Sequence, residues 1–439
     1  MLHPTSLAGG DVAAGSGRWL DFMAEAGLAV WQTLPLVIPD RWGSPYQSCS
    51  AFAIDTEMSV CDKAVLDGKE LAGYRARQGH WLEDFALYRV LSRRFPGLPW
   101  WHWPPEYARR EPAALDAVRR EAAVEIDRIV EGQCRADRSW QRIRGDAESR
   151  GIALFGDMPI FVAHESADVW SNPGMFLLDE DFQPRYVAGV PPDYFAANGQ
   201  RWGNPHYDWD AMRADGFAWW CARLRRQLEW FGLVRVDHFR ALVAVWMIEA
   251  SCPDATVGFW RETPGRELLA ALQSSLGELP LVAEDLGTVT DDVRVLRRDF
   301  SIPGMAVLQF AFDGSPHNPH LPDNIEADTV VYTGTHDNDT CVGWYASLDE
   351  HTRRLVGDVL GRSDGDIAWT MIESAFASRA TLAVAPMQDY LGLDGSARMN
   401  TPGVREGNWR WRLDFGDLDS RLAERIRDAV ERSQRSCDG

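Results

Sequence analysis

Short apolar runs recur along the whole chain, and several of them end in a polar or acidic residue. They are rich in Val, Ile, Leu and Phe and apolar on both faces, as strands buried in a parallel sheet must be. The runs cover residues 29–36, 152–161, 233–239, 280–287, 305–312, 329–337 and 382–391, with 2–7 as the candidate first strand. They predict a sheet covered on both faces by other parts of the chain.

Helical patterns lie between several of these runs. One apolar face recurs at Phe217, Trp220, Cys221, Leu224 and Leu228, and a second at Val293, Leu296 and Phe300 behind the candidate N-cap Thr290. Alternating strands and helices predict an α/β fold, and eight strand candidates favour a (β/α)₈ TIM barrel. An open, doubly wound sheet is the alternative.

Two stretches do not fit a repeating strand–helix unit. Residues 62–145 carry one amphipathic pattern through Leu115, Val118, Ala122, Ile126 and Ile129, and residues 163–210 are rich in Pro, Gly, Asn, Tyr and Trp with little periodicity. We therefore expect a helical insertion after strand 2 and a loop-rich insertion, covering the site, after strand 3. The predicted segments are 1–61 (strands 1 and 2), 62–145 (helical insertion), 146–162 (strand 3), 163–210 (loop-rich insertion) and 211–439 (the rest of the barrel and the C-terminal segment).

Charge and composition exclude several classes of function. The net charge of −20 argues against a nucleic-acid or anionic-membrane partner, and no apolar stretch is long enough to span a membrane. The seven cysteines form no C-x-x-C pair, so we expect free thiols in a reducing cytoplasm. The histidines lack a ligand spacing, so neither metal nor cofactor is predicted. The 20 tryptophans suit sugar stacking and core packing equally well.

Asp237 closes one of the apolar runs, where a barrel strand would present a catalytic group. Arg235 lies two residues earlier, on the same side of a strand, where its charge would keep a carboxylate ionised and oriented, as a nucleophile requires. Taken alone, this motif fits a structural ion pair at a strand end better than a catalytic site.

Glu284 closes a second run in the same way. Glycosidic cleavage needs one carboxyl group that is protonated and one that is charged, so two strand-end carboxylates in unlike environments are the chemical minimum. Asp285 is the competing candidate, but as the next residue of the strand it should face the helix layer.

Asp337 follows a third run, within the polar sequence Thr333-Gly334-Thr335-His336-Asp337. Such residues are common in any turn, so the motif by itself does not distinguish a catalytic site from an ordinary loop. The spacings from Asp237 to Glu284 and from Glu284 to Asp337 are compatible with barrel units of about 30 residues. The three carboxylates are therefore predicted to meet at the same end of the barrel.

Further motifs surround these strand ends and extend the pattern over most of the chain. They include residues 3–7 (HPTSL), 44–48 (SPYQS), 156–160 (GDMPI), 189–195 (GVPPDYF), 200–205 (QRWGNP), 398–403 (RMNTPG) and 407–411 (GNWRW). Together they resemble glycoside hydrolase family 77 of the α-amylase clan, the 4-α-glucanotransferases also called amylomaltases or disproportionating enzymes.

The resemblance implies a role for each residue that matches the family's motifs. Asp237 would be the nucleophile, Glu284 the general acid and base, and Asp337 the stabiliser of the oxocarbenium-like transition state. The sugar at the cleavage point would be ordered by Arg235, His336 and Asp157 and stacked by Tyr46. Trp202 and Asp193 would lie on the loop covering donor and acceptor, with Asn400 on a facing loop.

The expected activity is transfer of a segment of a (1→4)-α-D-glucan to the 4-hydroxyl of another glucan or glucose, with retention. The expected partners are maltooligosaccharides and related α-1,4-glucans. An α-glucan hydrolase of the same clan would use the same catalytic residues and is the alternative, as is a glucan-binding protein without activity. The three intact carboxylates argue against the last.

Overall fold

The computed structural model describes residues 1–7, 12–59, 66–192, 197–287, 289–361 and 365–435. Its strands, numbered in chain order, are β1 (Val30–Gln32), β2 (Ala153–Pro159), β3 (Tyr186–Val190), β4 (Gln200–Pro205), β5 (Leu233–Asp237), β6 (Ala244–Glu249), β7 (Phe259–Glu262), β8 (Leu281–Ala283), β9 (Gly304–Val307), β10 (Thr329–Tyr332) and β11 (Leu382–Val384).

The helices lie between and around these strands. They are α1 (Val12–Glu25), α2 (Gly68–Gln78), α3 (Leu82–Arg94), α4 (Pro105–Ala108), α5 (Pro112–Glu121), α6 (Ala123–Glu148), α7 (Ala167–Ser171), α8 (Trp209–Ala214), α9 (Ala218–Trp230), α10 (Gly265–Leu276), α11 (Asp291–Asp299), α12 (Cys341–Ser347), α13 (Glu350–Leu360), α14 (Ile367–Ala377), α15 (Met387–Tyr390) and α16 (Ser420–Arg432). No helix within the described ranges is both long and apolar enough to cross a membrane.

Seven parallel strands form the centre of the fold in two sheets, ordered β1-β2-β5-β8 and β11-β10-β9. The Ala283 amide of β8 donates to the Pro303 carbonyl just before β9, at 2.8 Å. On the opposite edges, the terminal amine of Met1 donates to the Ala385 carbonyl at 2.6 Å, and the Leu2 amide donates to the Gln32 carbonyl at 3.0 Å. These contacts give the strand order of a (β/α)₈ barrel, as predicted.

The prediction of a first strand over 2–7 is wrong in its extent. Pro4–Ser6 is a 3₁₀-helix, and only Met1 and Leu2 make strand-like hydrogen bonds. The proline fixes φ at its own position and lacks an N–H, which suits the first turn of a helix better than a strand interior. Strands β9 and β11 also end before the apolar runs that predicted them. The run of β9 continues as a 3₁₀-helix, Leu308–Phe310, and the run of β11 continues into α15.

Successive residues of the central strands pack on opposite sides of the sheets. One inner cluster joins side chains from five strands: Phe155, Val282, Met305, Val307, Val330, Tyr332 and Val384. Their immediate neighbours, such as Leu154, Leu281 and Val331, belong to clusters that include the helices. The strands are thus apolar on both faces because one face fills the inside and the other meets the helix layer.

The outer side of β2 shows how closely the helix layer approaches. A Cβ on Gly156 would lie 2.1 Å from Cδ2 of Phe231, a side chain that follows α9 and is 1% exposed. Only glycine leaves room for this ring, one residue before Asp157.

The region 163–210 is more regular than predicted. It contains α7, β3, β4 and the start of α8, and β3 pairs antiparallel with both β4 and β6 in a sheet ordered β4-β3-β6-β7. Strands β6 and β7 come from residues 244–262, a second excursion that the sequence did not indicate. One of the two pairing partners of β3, strand β6, is therefore more than 50 residues away in the chain, which local periodicity does not reveal.

The helical pattern before residue 145 is also divided differently. The single helix expected through Leu115 and Ile129 is two helices, α5 and α6, that meet at Ala122, where φ is −106° and ψ is 19°. The predicted helices at 217–228 and 293–300 are confirmed as α9 and α11, and Thr290 occupies the N-cap position of α11.

Candidate active site

Asp157, Arg235 and Asp237 lie side by side at the carboxyl ends of two neighbouring strands. In the β2–β5 register, Asp157 is opposite Arg235 and Pro159 is opposite Asp237. Asp157 is two residues beyond Phe155 and therefore points to the same inner side. The strand pairing thus brings together two acids and one base from segments that are 78 residues apart in the chain.

The Arg235 guanidinium forms ion pairs with both acids. Its Nη2 lies 2.7 Å from Asp237 Oδ1 and 2.9 Å from Asp157 Oδ2, and its Nε donates to Asp157 Oδ2 at 3.1 Å. The side chains of Arg235 and Asp157 are 4% and 1% exposed, whereas that of Asp237 is 31% exposed. Arg235 and Asp157 therefore form the closed base of the site, and Asp237 is the acid within reach of a ligand.

Two opposing effects act on the carboxyl of Asp237. Burial raises its pKa well above the ordinary value, with help from the neighbouring carboxylates, and the Arg235 charge opposes that rise. Burial likewise works against the charge of Arg235, but Asp157 and Asp237 raise its pKa well above the ordinary value. The cation therefore stays charged and favours the ionised form of Asp237.

Glu284 directly follows β8 and faces the same cavity from the next strand. Its Oε2 accepts the His238 amide at 2.7 Å, and its Oε1 accepts the Leu286 amide at 3.3 Å. Burial raises its pKa to about 7, although Arg235 and the two amides lower it. A carboxyl with this pKa can donate a proton and take one back near neutral pH.

Asp285 faces away from the cavity, as predicted. Its Oδ1 accepts the Met305 amide at 2.7 Å, and its Oδ2 lies 3.4 Å from Nε of Arg297 on α11. Burial raises the pKa of Asp285 to about 6. Asp285 therefore connects β9 to α11 and has a structural role.

Asp337 lies beyond β10 and is held by residues of a distant loop. Its Oδ1 accepts Nδ2 of Asn400 at 2.6 Å and is 3.3 Å from Nε2 of His336, while its backbone carbonyl accepts Nη2 of Arg398 at 2.5 Å. The Asp337 side chain is 48% exposed and His336 is buried. Burial lowers the pKa of His336, which favours the neutral imidazole.

Tyr46 closes one side of this group of residues. Its hydroxyl donates to Asp157 Oδ2 at 2.7 Å, and its ring stacks on His336 with centroids 5.1 Å apart and an angle of 11°. The ring of Trp409 lies 6.1 Å from Tyr46 and 5.9 Å from His336. Three aromatic rings therefore stand beside the carboxylates, a suitable wall for the C–H face of a sugar.

The structure thus brings nine of the ten sequence-predicted site residues into one region. Trp202, on β4, meets the ring of His238 edge-on at 4.8 Å, beside Asp237. Asp193 is the exception, because residues 193–196 lie outside the described residues.

Three further residues contact the predicted site although the sequence did not assign them to it, namely His238, Arg398 and Trp409. His238 has φ of 53°, a left-handed conformation that a non-glycine residue seldom adopts, and this turns its amide towards Glu284. Arg398 and Trp409 lie within the motifs 398–403 and 407–411, which indicated the site. Their position inside these motifs is the signal that could have identified them. The strained backbone at His238 has no signature in the sequence.

Within the described ranges, no group of three or more His, Cys, Asp or Glu side chains is placed to hold a metal ion. The site presents carboxyl, imidazole and guanidinium groups to a ligand. A half-buried carboxyl with a pKa of about 7 beside a carboxylate paired with arginine suits acid–base and nucleophilic steps at a glycosidic bond.

Known proteins show the same combination of sequence and fold. The profile of the glycoside hydrolase family 77 4-alpha-glucanotransferases matches residues 58–418. The 4-alpha-glucanotransferase of Thermus thermophilus is 41% identical over 99% of this chain and 98% of its own. The enzyme of the same name from Synechocystis is 40% identical over 96% of this chain and 95% of its own.

Two solved structures share the fold of this chain. The amylomaltase from Streptococcus agalactiae, determined in complex with acarbose, superposes with a TM-score of 0.92 at 29% identity, covering 99% of this chain and 98% of that one. The amylomaltase from Corynebacterium glutamicum shares the fold with a TM-score of 0.75 at 16% identity, over 98% of this chain and 74% of that one. The chain therefore belongs to glycoside hydrolase family 77, the 4-alpha-glucanotransferases.

Proposed function

We propose that this chain transfers a segment of a (1→4)-α-D-glucan to the 4-hydroxyl of an acceptor glucan or glucose. The observation that supports this most directly is the contrast between two neighbouring carboxyl groups. Asp237 is paired with Arg235, whereas Glu284 is paired with no cation at hydrogen-bond distance among the described residues, and its pKa is about 7. One group suits attack, and the other suits proton transfer.

In the first step, the Asp237 carboxylate attacks the anomeric carbon of the donor while the Glu284 carboxyl protonates the departing glycosidic oxygen. The bond to the leaving glucan breaks and a glycosyl ester on Asp237 forms. In the second step, the Glu284 carboxylate removes the proton of the acceptor's 4-hydroxyl, whose oxygen displaces Asp237. Both carboxyl groups regain their original protonation states, and two inversions give net retention.

The remaining residues hold the sugar during these steps. Asp337, anchored by Asn400, is partly exposed and suits stabilisation of positive charge at the ring. Asp157, Arg235 and His336 are buried and suit hydrogen bonding to hydroxyl groups, with Tyr46 against the sugar's apolar face. We assign Trp202 and Asp193 to the loop that covers donor and acceptor. The proposed substrates are maltooligosaccharides and other α-1,4-glucans.

Incubation of the pure enzyme with maltotriose tests the reaction. Transfer produces a ladder of longer oligosaccharides together with glucose and maltose, while the number of reducing ends stays constant. A steady increase in reducing ends without longer products would instead identify a hydrolase. Asp237→Asn should abolish the ladder, and an unchanged rate in this variant would contradict the assignment of the nucleophile.

We also propose that the reaction takes place in a reducing cytoplasm. The five cysteines that the structure describes, Cys49, Cys134, Cys221, Cys252 and Cys341, are all free, which suits a reducing compartment. Fractionation of cells followed by the maltotriose assay tests this. Activity in an extracellular or periplasmic fraction would contradict it.

A further inference from the structure

The connection between β10 and α12, residues 333–340, carries Asp337, and we call it the Asp337 loop. A buried carboxylate from another part of the chain binds at both ends of this loop. Oδ2 of Asp389 accepts the Thr333 hydroxyl at 2.6 Å, and Oδ1 accepts the amide of Cys341, the first residue of α12, at 2.8 Å. Asp389 therefore joins the two ends of the loop.

The three groups that meet here lie in the interior. Asp389 is 1% exposed, and Thr333 and Cys341 are fully buried. Burial raises the pKa of Asp389, and hydrogen bonds from the Cys341 amide and the Thr333 hydroxyl oppose that rise. A carboxylate in such a place is costly unless donors meet its oxygens, so each of the two bonds has a defined geometry.

Asp389 reaches the loop from the neighbouring strand of the barrel. It lies on α15, which follows β11, and β11 pairs in parallel with β10. Tyr332 is opposite Val384 in this pair, and the Thr333 amide donates to the Val384 carbonyl at 3.3 Å. The strand pairing therefore fixes the place of the carboxylate beneath the loop.

The interior of the loop transmits this constraint to Asp337. Oδ1 of Asn338 accepts both the amide and the hydroxyl of Thr335 at 2.9 Å, and the Thr335 hydroxyl accepts the Asp337 amide at 3.3 Å. Nε2 of Gln309 also donates to the Asp339 carbonyl at 2.9 Å. With these bonds in place, a shift at the base of the loop moves Asp337 as well.

The residue before Asp389 on α15 holds the other support of Asp337. Nε2 of Gln388 donates at 3.2 Å to the carbonyl of Ala397, directly before Arg398. Arg398 and Asn400 donate in turn to the backbone carbonyl and to Oδ1 of Asp337. Successive residues of α15 therefore bind the loop that carries Asp337 and the segment that bonds to it.

We propose that Asp389 and Thr333 are positioning residues for Asp337. Their hydrogen bond fixes the base of the Asp337 loop and so holds the half-exposed Asp337 carboxylate where positive charge develops on the transferred sugar. The role of Asp337 in this inference rests on the proposed function. Because Asp389 and Thr333 are buried beneath the loop, loss of their bond should affect the charged transition state more than the neutral ground state.

Kinetics of a valine variant test the bond. Thr333→Val removes the hydroxyl but keeps the shape of the side chain, and should lower kcat for maltotriose about tenfold while KM stays within about twofold. Thr333→Ser restores the hydroxyl and should return kcat to within about twofold of the wild type.

Thr329→Val is the matched control, at a buried threonine that begins the same strand. It should leave kcat within about twofold, and thermal unfolding of the two valine variants measures their folding costs. The same kcat in both variants would overturn the proposal.

A second variant changes the other partner, in case Thr333→Val folds poorly. Asparagine has a single side-chain oxygen, so Asp389→Asn can accept from only one of the two donors. It should lower kcat in the same direction as Thr333→Val, again with little change in KM. Wild-type kcat in Asp389→Asn would contradict the positioning role.

Binding without turnover separates this proposal from the proposed function. Acarbose carries a basic amine in place of one glycosidic oxygen and probes the charged site, whereas maltotriose is neutral. In a Glu284→Gln background, Thr333→Val should raise the calorimetric Kd of acarbose about tenfold and that of maltotriose by less than about twofold.

The two proposals fail in different ways. Equal changes in Kd for acarbose and maltotriose, together with a maltotriose ladder from the wild type, contradict the positioning role alone. A selective loss of acarbose binding in the Thr333→Val variant, without a ladder from the wild type, contradicts the transferase alone.

Discussion

Nη2 of Arg235 lies 2.7 Å from Oδ1 of Asp237, two residues further along the same strand. Both side chains point to the inner side because strand residues alternate. The same guanidinium binds Asp157 on the neighbouring strand, so its position is determined from two directions. The orientation of the proposed nucleophile thus depends on a cation that is 4% exposed.

Replacement of Arg235 by lysine should reduce kcat for maltotriose by at least about 100-fold. Lysine keeps the charge but cannot donate to both acids in one plane, so Asp237 loses its fixed orientation. Disruption of a buried pair of this kind also costs about 3–5 kcal/mol of folding free energy. The transfer assay and thermal unfolding measure the two effects, and near-wild-type kcat in Arg235→Lys would contradict the positioning role.

The rate of transfer should fall as the pH rises through about 7. The first step needs the protonated form of Glu284, whose pKa is about 7, so the alkaline limb of kcat/KM follows loss of this proton. A profile of initial rates from pH 4 to 9 measures the limb.

Asp285→Asn supplies the matched test of this limb. The negative charge of Asp285 raises the pKa of Glu284, so removal of the charge should move the alkaline limb to lower pH. A limb that stays in place, or moves upward, would show that another group controls it.

Glu284→Gln should lose transfer activity. Its free energy of unfolding should also exceed that of the wild type by an amount that grows as the pH rises. The folded-state pKa of Glu284 is raised above its ordinary value, so the wild type loses stability between about pH 4.5 and 7 as this group ionises. The difference amounts to roughly 1–3 kcal/mol at pH 8 and vanishes near pH 4. Denaturant unfolding of both proteins at the two pH values tests the sign, which a pH-independent difference would contradict.

Gly156→Ala should destabilise the barrel by about 1–3 kcal/mol or more, because a Cβ at this position would overlap the buried Phe231 ring. Gly174→Ala is the matched control, since a Cβ there meets no atom within 4 Å. Thermal unfolding should show a lower midpoint for the first variant and little change for the second. Equal midpoints would mean that Phe231 can move at little cost.

Much of the site follows from local rules. Alternation along the strands places Asp157, Asp237 and Glu284 inward and sends Asp285 towards Arg297. The apolar runs predicted the barrel strands, apart from residues 2–7, because a strand buried on both faces leaves a continuous apolar signature.

Other features depend on contacts between distant segments. The bond from Asn400 to Asp337 spans 63 residues, and the pairing of β3 with β6 joins two excursions from the barrel. The break between α5 and α6 at Ala122 is likewise invisible in an unbroken amphipathic pattern.

The sequence by itself therefore predicted the barrel, the family and most of the residues at the site, because strand alternation and motif identity are local properties of the chain. Only the tertiary structure decided how those residues act on one another. Burial and neighbours brought together by folding produce three features of the site. Arg235 pairs with two acids, the pKa of Glu284 is raised, and His238 adopts a left-handed conformation in which its amide donates to Glu284. Electrostatic environment depends on the surroundings in space, which the order of residues does not contain.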